Sequence, residues 1–257
     1  MISAAIVTYN EKKKLKDCLE SIQFFVDEII IVDLGSTDEL DQVLSKFKKV
    51  KKIDHPLVPY VEPVRQFSID QCAGDWVLVL DPDERVSNGL AKTLKEITED
   101  KSFSYSAINI PTKNIFFGKW IGHTNFWPDR HLRFFKKGKV KWGKKIHSYP
   151  KVNGEIYNLP ANEQLSLIHF GYTTRQQFIQ KQNRYAQVEA QNRLADGKRF
   201  SLFQFVWMPM REFLARFIKH KGYLDGFDGI FLVTILMYYQ VMVQLNMIRY
   251  AKSFKNY

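Results

Sequence analysis

Cysteine is almost absent from this chain of 257 residues, which contains only Cys18 and Cys72. Two thiols without metal-ligand spacing exclude a disulfide scaffold and a cysteine-built metal centre. Cys18 lies on the apolar face of a predicted helix and Cys72 precedes a Gly-Asp turn, so we interpret both as reduced packing residues of a cytosolic protein. Hydrophobic residues make up 45% of the chain, which is enough for a sizeable core.

Acidic residues are scarce as well, with 27 against 38 basic ones and a net charge of +11. This excess suits nucleic acid, an anionic membrane face or a phosphate-bearing substrate. No RNP, KH, helix-turn-helix or zinc-finger pattern is present, which argues against a nucleic-acid-binding module and leaves it as an alternative. We expect no signal peptide, because the first apolar run is short and leads directly into polar residues.

Three predicted strands each run straight into a group of polar residues. In a parallel sheet these groups meet at one edge, where open α/β folds bind their ligands. Carboxylates at such an edge repel one another unless a cation or donor groups relieve them. We therefore predict an α/β protein with a nucleotide site there, although three separate solvated turns stay possible. The polar groups are 8–11, 33–38 and 81–84.

Several helices are predicted from caps and apolar spacing. Leu15, Cys18, Leu19 and Ile22 share one face of the first helix. Ser87 is expected to cap a helix that ends near Glu99, and Thr174 a helix that ends near Ala195. Two further expectations are that Ser36, Thr37 or Asp38 caps the second helix, and that Phe178, Tyr185 and Val188 form the apolar stripe of the helix after Thr174.

The motifs Thr-Tyr-Asn-Glu at 8–11, Val-Asp-Leu-Gly-Ser-Thr-Asp at 32–38 and Leu-Asp-Pro-Asp-Glu at 80–84 resemble, in order and spacing, the landmarks of family 2 glycosyltransferases. Within that family the chain looks most like bacterial lipopolysaccharide-core and cell-envelope sugar transferases. The resemblance implies a GT-A fold, Rossmann-like, with a mostly parallel central sheet flanked by helices. It gives a glycosyltransferase domain at 1–197, with a nucleotide-sugar half (1–100) and an acceptor half (101–197), and a helical membrane-associating extension at 198–257.

The donor half is expected to bind a nucleoside diphosphate sugar with Mg²⁺ or Mn²⁺. We choose Asp83 as the direct metal ligand. The resemblance implies that Asp81 holds the ribose or reaches the metal through water, that Asp33 accepts from the nucleobase, and that His169 helps bind the metal. The alternative for His169 is a buried histidine whose hydrogen bonds are satisfied within the protein. The alternative for Arg65, which could contact the diphosphate, is an ordinary arginine on a helix surface. The predicted nucleotide-sugar residues are Thr8, Asn10, Glu11, Asp33, Ser36, Arg65 and Asp81.

The acceptor half needs a group that takes a proton from the acceptor hydroxyl. The candidates are Asp129, Glu84 and His147, and we favour Asp129. Ser148 stands where the family usually has Glu, which keeps a catalytically silent membrane scaffold as an alternative. Nucleotidyl transfer on a similar fold is disfavoured because the turn after the first strand lacks glycine. The resemblance implies an inverting reaction.

Beyond residue 197 the sequence predicts an amphipathic helix with a basic face, of the kind that lies in a membrane interface. An uncharged run of about 20 residues up to Ile248 reaches the length of a membrane span. Its polar residues favour a monotopic attachment or a helical hairpin over a span, and a dimer interface stays open. We expect a cytoplasmic enzyme attached peripherally to the inner face of the plasma membrane, acting on a lipid-linked or glycan acceptor.

Overall fold

The computed structural model describes residues 1–58, 61–143 and 149–251. Strands and helices alternate through the first hundred residues, and helices alone follow Tyr172. The strands are β1 (Ile2–Thr8), β2 (Glu28–Asp33), β3 (Val50–Asp54), β4 (Trp76–Leu80), β5 (Glu84–Val86), β6 (Ala107–Phe116), β7 (Lys119–Trp120), β8 (Asp129–Lys136), β9 (Val140–Lys141), β10 (Lys151–Val152), β11 (Ile156–Asn158) and β12 (Leu167–Tyr172). The helices are α1 (Lys12–Ile22), α2 (Asp41–Leu44), α3 (Glu62–Asp70), α4 (Asn88–Glu99), α5 (Arg175–Ala195), α6 (Leu202–Glu212) and α7 (Gly226–Ala251).

The main sheet has the strand order β3-β2-β1-β4-β8-β6-β12-β5. Its first four strands are parallel, and β8 runs antiparallel to β4 and β6. All residues of β1 and β4 are buried, as the unbroken apolar runs predict for strands covered on both faces. Side chains of α1 and α4 pack on one face of the sheet and those of α3 on the other. The α/β class, with helices flanking a partly parallel sheet, is confirmed.

Three of the predicted helices are confirmed in detail. Leu15, Cys18, Leu19 and Ile22 are the buried residues of α1. Ser87 caps α4 by accepting from the N–H of Leu90. Thr174 caps α5 within a capping box completed by Gln177. Local spacing and side-chain chemistry were therefore sufficient to place these helices.

Two expectations about helices were wrong. α2 begins at Asp41 after Leu40, and none of Ser36, Thr37 and Asp38 caps it. All three residues instead bond to the segment that joins β1 to α1. Ser36 and Asp38 accept through their side chains, and Thr37 donates its backbone N–H. On α5 Val188 is exposed and Tyr185 only partly buried, whereas the buried positions recur every four residues. They are Phe178, Gln182, Ala186 and Ala190.

By internal contacts the chain forms two compact units. Unit 1 comprises residues 1–113 and 129–169, and unit 2 comprises residues 114–128 and 170–257. Unit 1 holds β1 to β5, most of β6, and β8. The domain boundary expected after residue 197 stays a prediction, since it concerns the extent of the catalytic domain rather than the density of contacts.

Unit 2 is built around α7. Ala186 and Ala190 of α5 pack against Val243 and Met247 of α7, and these small side chains let the two helices approach closely. A π-helical segment, Phe213–Lys219, continues α6. Within the described residues one helix, Gly222–Ala251, is long and apolar enough to cross a membrane, and 39% of its most apolar window is buried.

Candidate functional site

The turns after β1 and β2 are joined by hydrogen bonds. Asn10 adopts a left-handed backbone conformation (φ +54°), which asparagine tolerates better than most residues. Its N–H donates to Oγ of Ser36 at 2.9 Å, and its Oδ1 accepts from the N–H of Thr37 at 2.7 Å. Lys12 N–H donates to Asp38 at 2.8 Å. The first two predicted polar groups therefore lie side by side.

Thr8 and Asp33 occupy paired positions at the ends of β1 and β2. Both are buried, and Thr8 Oγ1 has no hydrogen-bond partner among the described residues. Asp33 Oδ1 accepts from the N–H of Ser36 at 3.0 Å, and its Oδ2 lies 3.3 Å from Nζ of Lys52. The ends of β1 and β2 therefore carry the unpaired hydroxyl of Thr8 and the Asp33 carboxylate, which its two contacts hold in place.

Asp81 follows β4 and is held by two arginines. Arg65 of α3 donates to its Oδ1 at 2.6 Å, and Arg133 of β8 donates to its Oδ2 at 2.8 Å. Burial alone would raise the pKa of Asp81, but the two guanidinium groups outweigh it and lower the pKa below its ordinary value. Asp81 is therefore a carboxylate in the structure described.

Glu84 is engaged at both carboxylate oxygens. Its Oε1 accepts from Arg133 at 2.6 Å and its Oε2 from the N–H of Asp81 at 2.9 Å. Glu84 is buried, and burial raises its pKa while the charge of Arg133 opposes that rise. One guanidinium thus joins both ends of the turn that carries the Asp-Pro-Asp-Glu motif, so these contacts favour a structural role for Glu84.

Asp83 points to a different set of neighbours. Its Oδ1 lies 3.8 Å from Nε2 of His169, and its Oδ2 lies 3.6 Å from Nζ of Lys14. Lys14 also pairs with Glu11 at 3.0 Å, which links the third polar group to the first. No cluster of three or more His, Cys, Asp or Glu residues suited to a metal ion occurs in the described ranges. Mg²⁺ is often held by one or two carboxylates, with phosphates and water completing its shell, and Asp83 could supply one of these.

Asp129 opens β8, opposite Thr112 of β6. Its Oδ2 lies 3.1 Å from Nε2 of His131. Asp129 and Arg133 are four residues apart on one strand, a separation of about 13 Å. His147, the other acceptor-side candidate, lies outside the described residues, as does Ser148.

A cavity of about 550 Å³ opens beside the two arginines that hold Asp81. Trp142 lies in its wall, and the guanidinium of Arg65 sits 5.9 Å from the centre of the Trp142 ring. Arg130, also in the wall, is exposed and has no carboxylate partner among the described residues. An aromatic face and guanidinium groups together suit a sugar ring that carries phosphate. The other lining residues are Glu62, Asn109, His131, Leu132, Arg133, Tyr149, Pro150 and Ile156.

Two residues of this edge were missed by the sequence reasoning. Arg133 was not among the predicted site residues, and its carboxylate partners lie about fifty residues earlier in the chain. Lys14 was not assigned to the site either, although it bridges Glu11 and Asp83. A signal for Lys14 was its place one helical turn after the first polar group.

The chain is similar in sequence to several bacterial proteins, and its structure aligns with a solved one. Residues 3–154 match the model of the family described as glycosyl transferase family 2. The lipopolysaccharide core biosynthesis glycosyltransferase LpsC of Rhizobium meliloti is 28% identical over 240 residues, covering 89% of this chain and 84% of LpsC. An uncharacterized glycosyltransferase of Rickettsia typhi is 26% identical, over 96% of this chain and 86% of its own. The structure of S. aureus TarS 1-349 aligns with a TM-score of 0.48 and 14% identity, over 99% of this chain and 91% of that one.

Proposed function

We propose a function from the premise that this chain belongs to glycosyl transferase family 2 and is a nucleotide-sugar-dependent glycosyltransferase. It moves one sugar from a nucleoside diphosphate to a hydroxyl of a lipid-linked or cell-envelope glycan, with inversion. One observation carries this proposal. The polar groups after three parallel strands are joined by short contacts, of Asn10 with Ser36 and of Lys14 with Glu11 and Asp83. Such an edge is where open α/β sheets bind nucleotides.

The donor would lie along this edge. Asp33, fixed by Ser36 and Lys52, would accept from a nucleobase, and Thr8, at the paired position of β1, would offer its unused hydroxyl. Asp81 is a carboxylate suited to ribose hydroxyls. Arg65 is only partly buried, and its planar guanidinium can exchange a carboxylate for a phosphate of the donor.

A divalent cation, Mg²⁺ or Mn²⁺, would stabilise the negative charge on the departing diphosphate. Asp83 and His169 are the residues that would hold it, with Asp81 reaching it through water. The carboxylate oxygens suit both ions, whereas the imidazole nitrogen of His169, 3.8 Å from Asp83, is a poor ligand for Mg²⁺. Lys14 Nζ lies 3.6 Å from Oδ2 of Asp83, so a divalent cation at this carboxylate would compete with the lysine.

Asp129 is our choice for the group that takes the proton of the acceptor hydroxyl. Its side chain is 38% exposed, and His131 lies against one of its oxygens. Glu84, buried and bonded at both oxygens, would instead keep Asp81 in place. A lipid-linked acceptor would bring the enzyme to the inner face of the plasma membrane as a peripheral protein.

The test is a thermal-shift screen of nucleoside diphosphate sugars with Mn²⁺, with Mg²⁺ and with a chelator. A bound donor stabilises the folded chain in proportion to the logarithm of its excess over Kd. We expect one donor to raise Tm strongly with metal and weakly without it. Asp83→Asn should remove that difference, while Asp70→Asn, at an exposed position in the same unit, should leave it intact.

Transfer to an acceptor is measured next with the donor that binds. Asp129→Asn should lower kcat and spare the donor-induced shift in Tm, because Asp129 is proposed to act on the acceptor. A variant at Asp83 that keeps full metal-dependent turnover would refute the metal assignment. Stabilisation by oligonucleotides alone would favour the nucleic-acid alternative over the transferase chemistry.

A further inference from the structure

The C-terminal segment, residues 198–251, turns all its carboxylates inward. The side chains of Glu212, Asp225 and Asp228 are only 14%, 4% and 2% exposed. Glu212 pairs with Arg216 at 2.8 Å, and Asp228 accepts from Arg175 at 2.5 Å. The outward charge of this segment is therefore entirely positive. Its exposed basic residues are Lys198, Arg199, Arg211, Lys219, Lys221 and Arg249.

Large apolar side chains of the same segment point outward. One row runs along α6 and the π-helical segment at spacings of three and four residues, which places its members on one helical face. These side chains are between 41% and 71% exposed. We call them the α6 row: Phe203, Trp207, Met210, Leu214 and Ile218.

Two glutamines of α7 contact residues of α6. Gln240 donates to Glu212 at 3.3 Å, and Gln244 donates to Gln204 at 3.1 Å. Asn246 is buried as well. These three polar side chains are therefore kept away from the exposed surface of α7, on which Thr234 and Arg249 are the exposed polar and charged residues. The large apolar side chains exposed there are Phe227, Ile230, Tyr238, Leu245 and Ile248.

The packing of α5 argues against a membrane-spanning α7. Ala186 and Ala190 hold α5 against α7, and other positions of α5 carry exposed lysine, arginine, asparagine and glutamine side chains. If α7 crossed the bilayer, α5 would enter the hydrocarbon with it or lose this contact. Charged side chains are costly in hydrocarbon. An orientation in the plane of the interface avoids that cost.

We propose that the α6 row inserts into the interface of an anionic lipid bilayer, with the exposed basic residues of the segment at the lipid headgroups. The α6 row belongs to unit 2 and the donor site to unit 1, and the proposal rests on the proposed function only for the presence of a lipid-linked acceptor. The positive charge around the α6 row favours a lipid surface over a second copy of the chain. A second copy would bring the same positive face, whereas anionic headgroups complement it. Basic residues beside a row of aromatic and aliphatic side chains are typical of helices that lie in the membrane interface.

The test is co-sedimentation of the full chain with phosphatidylcholine vesicles, with and without phosphatidylglycerol. We expect binding to be at least about tenfold tighter to the anionic vesicles, since each basic residue near such a surface contributes a severalfold gain. The triple variant Phe203→Gln, Trp207→Gln, Leu214→Gln should bind at least about tenfold more weakly to them. Phe24→Gln is the matched control, because Phe24 is 87% exposed in unit 1.

Charge is tested separately. Lys198→Glu with Lys219→Glu should weaken binding to anionic vesicles by roughly tenfold or more and leave any binding to neutral vesicles unchanged. Lys46→Glu with Lys48→Glu, at exposed positions of unit 1, is the control and should have a small effect. Equal losses in both pairs would mean that net charge alone drives attachment, which would overturn the proposed orientation.

Two further results would overturn the proposal. One is unchanged vesicle binding by the triple variant. The other is a dimer in light scattering that the triple variant converts to a monomer, which would assign the α6 row to a second copy. Fluorescence should decrease with lipids brominated near the headgroup and should be insensitive to that quencher in Trp207→Phe. The vesicle-binding assays contain no sugar donor, so their outcome does not depend on whether the transferase assay succeeds.

Discussion

The two units place their charged and apolar side chains in opposite ways. In unit 1 the apolar residues are buried on both faces of the sheet, and carboxylates gather at its edge against cationic side chains. In unit 2 the carboxylates of Asp225 and Asp228 are buried, while a row of large apolar residues is exposed. The first arrangement brings charged side chains of both signs to the edge where we propose that the donor binds. The second uses its carboxylates to hold the structure together and presents an apolar face outward.

For unit 1 the largest effect is expected from removing Arg133, the cation that pairs with both Asp81 and Glu84. Arg133→Met should lower the free energy of unfolding by about 3–5 kcal/mol, because it leaves Asp81 and Glu84 without their shared buried partner. Urea denaturation measures the loss. The control is Arg130→Met, on the same strand but exposed, which should stay within about 0.5 kcal/mol of the parent.

The pH dependence of that variant gives an independent check. The pKa of Asp81 lies below its ordinary value, so its contribution to stability is complete above the unfolded-state pKa and is lost as the pH falls through the folded-state pKa. Without Arg133, unfolding by acid should begin at a higher pH than in the parent. An unchanged acid profile would mean that Arg65 alone sustains the charge of Asp81.

For unit 2 the corresponding change is Asp225→Ala. The Asp225 carboxylate accepts from the N–H groups of Gly122 and His123 at 3.1 Å and from the hydroxyl of Thr124 at 2.6 Å. Removing it leaves these donors without their acceptor, and we expect a loss of about 2–3 kcal/mol in urea denaturation. Asp196→Ala, at an exposed position of the same unit, should cost little. Equal costs would show that the inward carboxylates of unit 2 are not structural.

The sequence predicted much of unit 1 because its signals are local. Apolar runs predicted the parallel strands, and the parallel sheet then brought the groups at Thr8–Glu11, Asp33–Asp38 and Asp81–Glu84 to one edge. Arg133 could not be assigned in this way, since its contact with Asp81 depends on β8 lying beside β4 in antiparallel orientation. Periodicity alone does not give strand order.

The same limit explains the errors in the helices. The polar side chains expected to cap α2 bond instead to the neighbouring turn after β1, which is a tertiary contact. On α5 the apolar residues Tyr185 and Val188 suggested the buried face, but α7 packs against the small residues Ala186 and Ala190. Close approach of two helices selects for small side chains, and a search for large apolar ones overlooks them.

A smaller effect is expected from Lys14, which sharpens the idea that unit 1 keeps its carboxylates ready for a cation. Lys14→Met removes a positive charge 3.6 Å from Asp83, so Mn²⁺ no longer has to displace an ion pair of about 1 kcal/mol in water and should bind the free enzyme roughly fivefold more tightly. Electron paramagnetic resonance of free Mn²⁺ measures this directly. Lys13→Met, on the exposed side of the same helix, should leave the affinity as it was.

The helix caps allow the two units to be compared in local structure as well as in the placement of charge. Ser87 caps α4 in unit 1 and Thr174 caps α5 in unit 2, each through a side-chain oxygen that accepts a backbone N–H at 3.2 Å. Ser87→Ala and Thr174→Ala should each cost about 1 kcal/mol in urea denaturation. Thr173→Ala, whose side chain caps nothing, is the control for the second. Similar costs would mean that helix formation follows one rule throughout the chain, and that the contrast between the units arises from which side chains face outward. A much larger cost at Ser87 would trace instead to its second bond, to the carbonyl of Gln164 at 2.6 Å, and would make that cap part of the tertiary structure of unit 1.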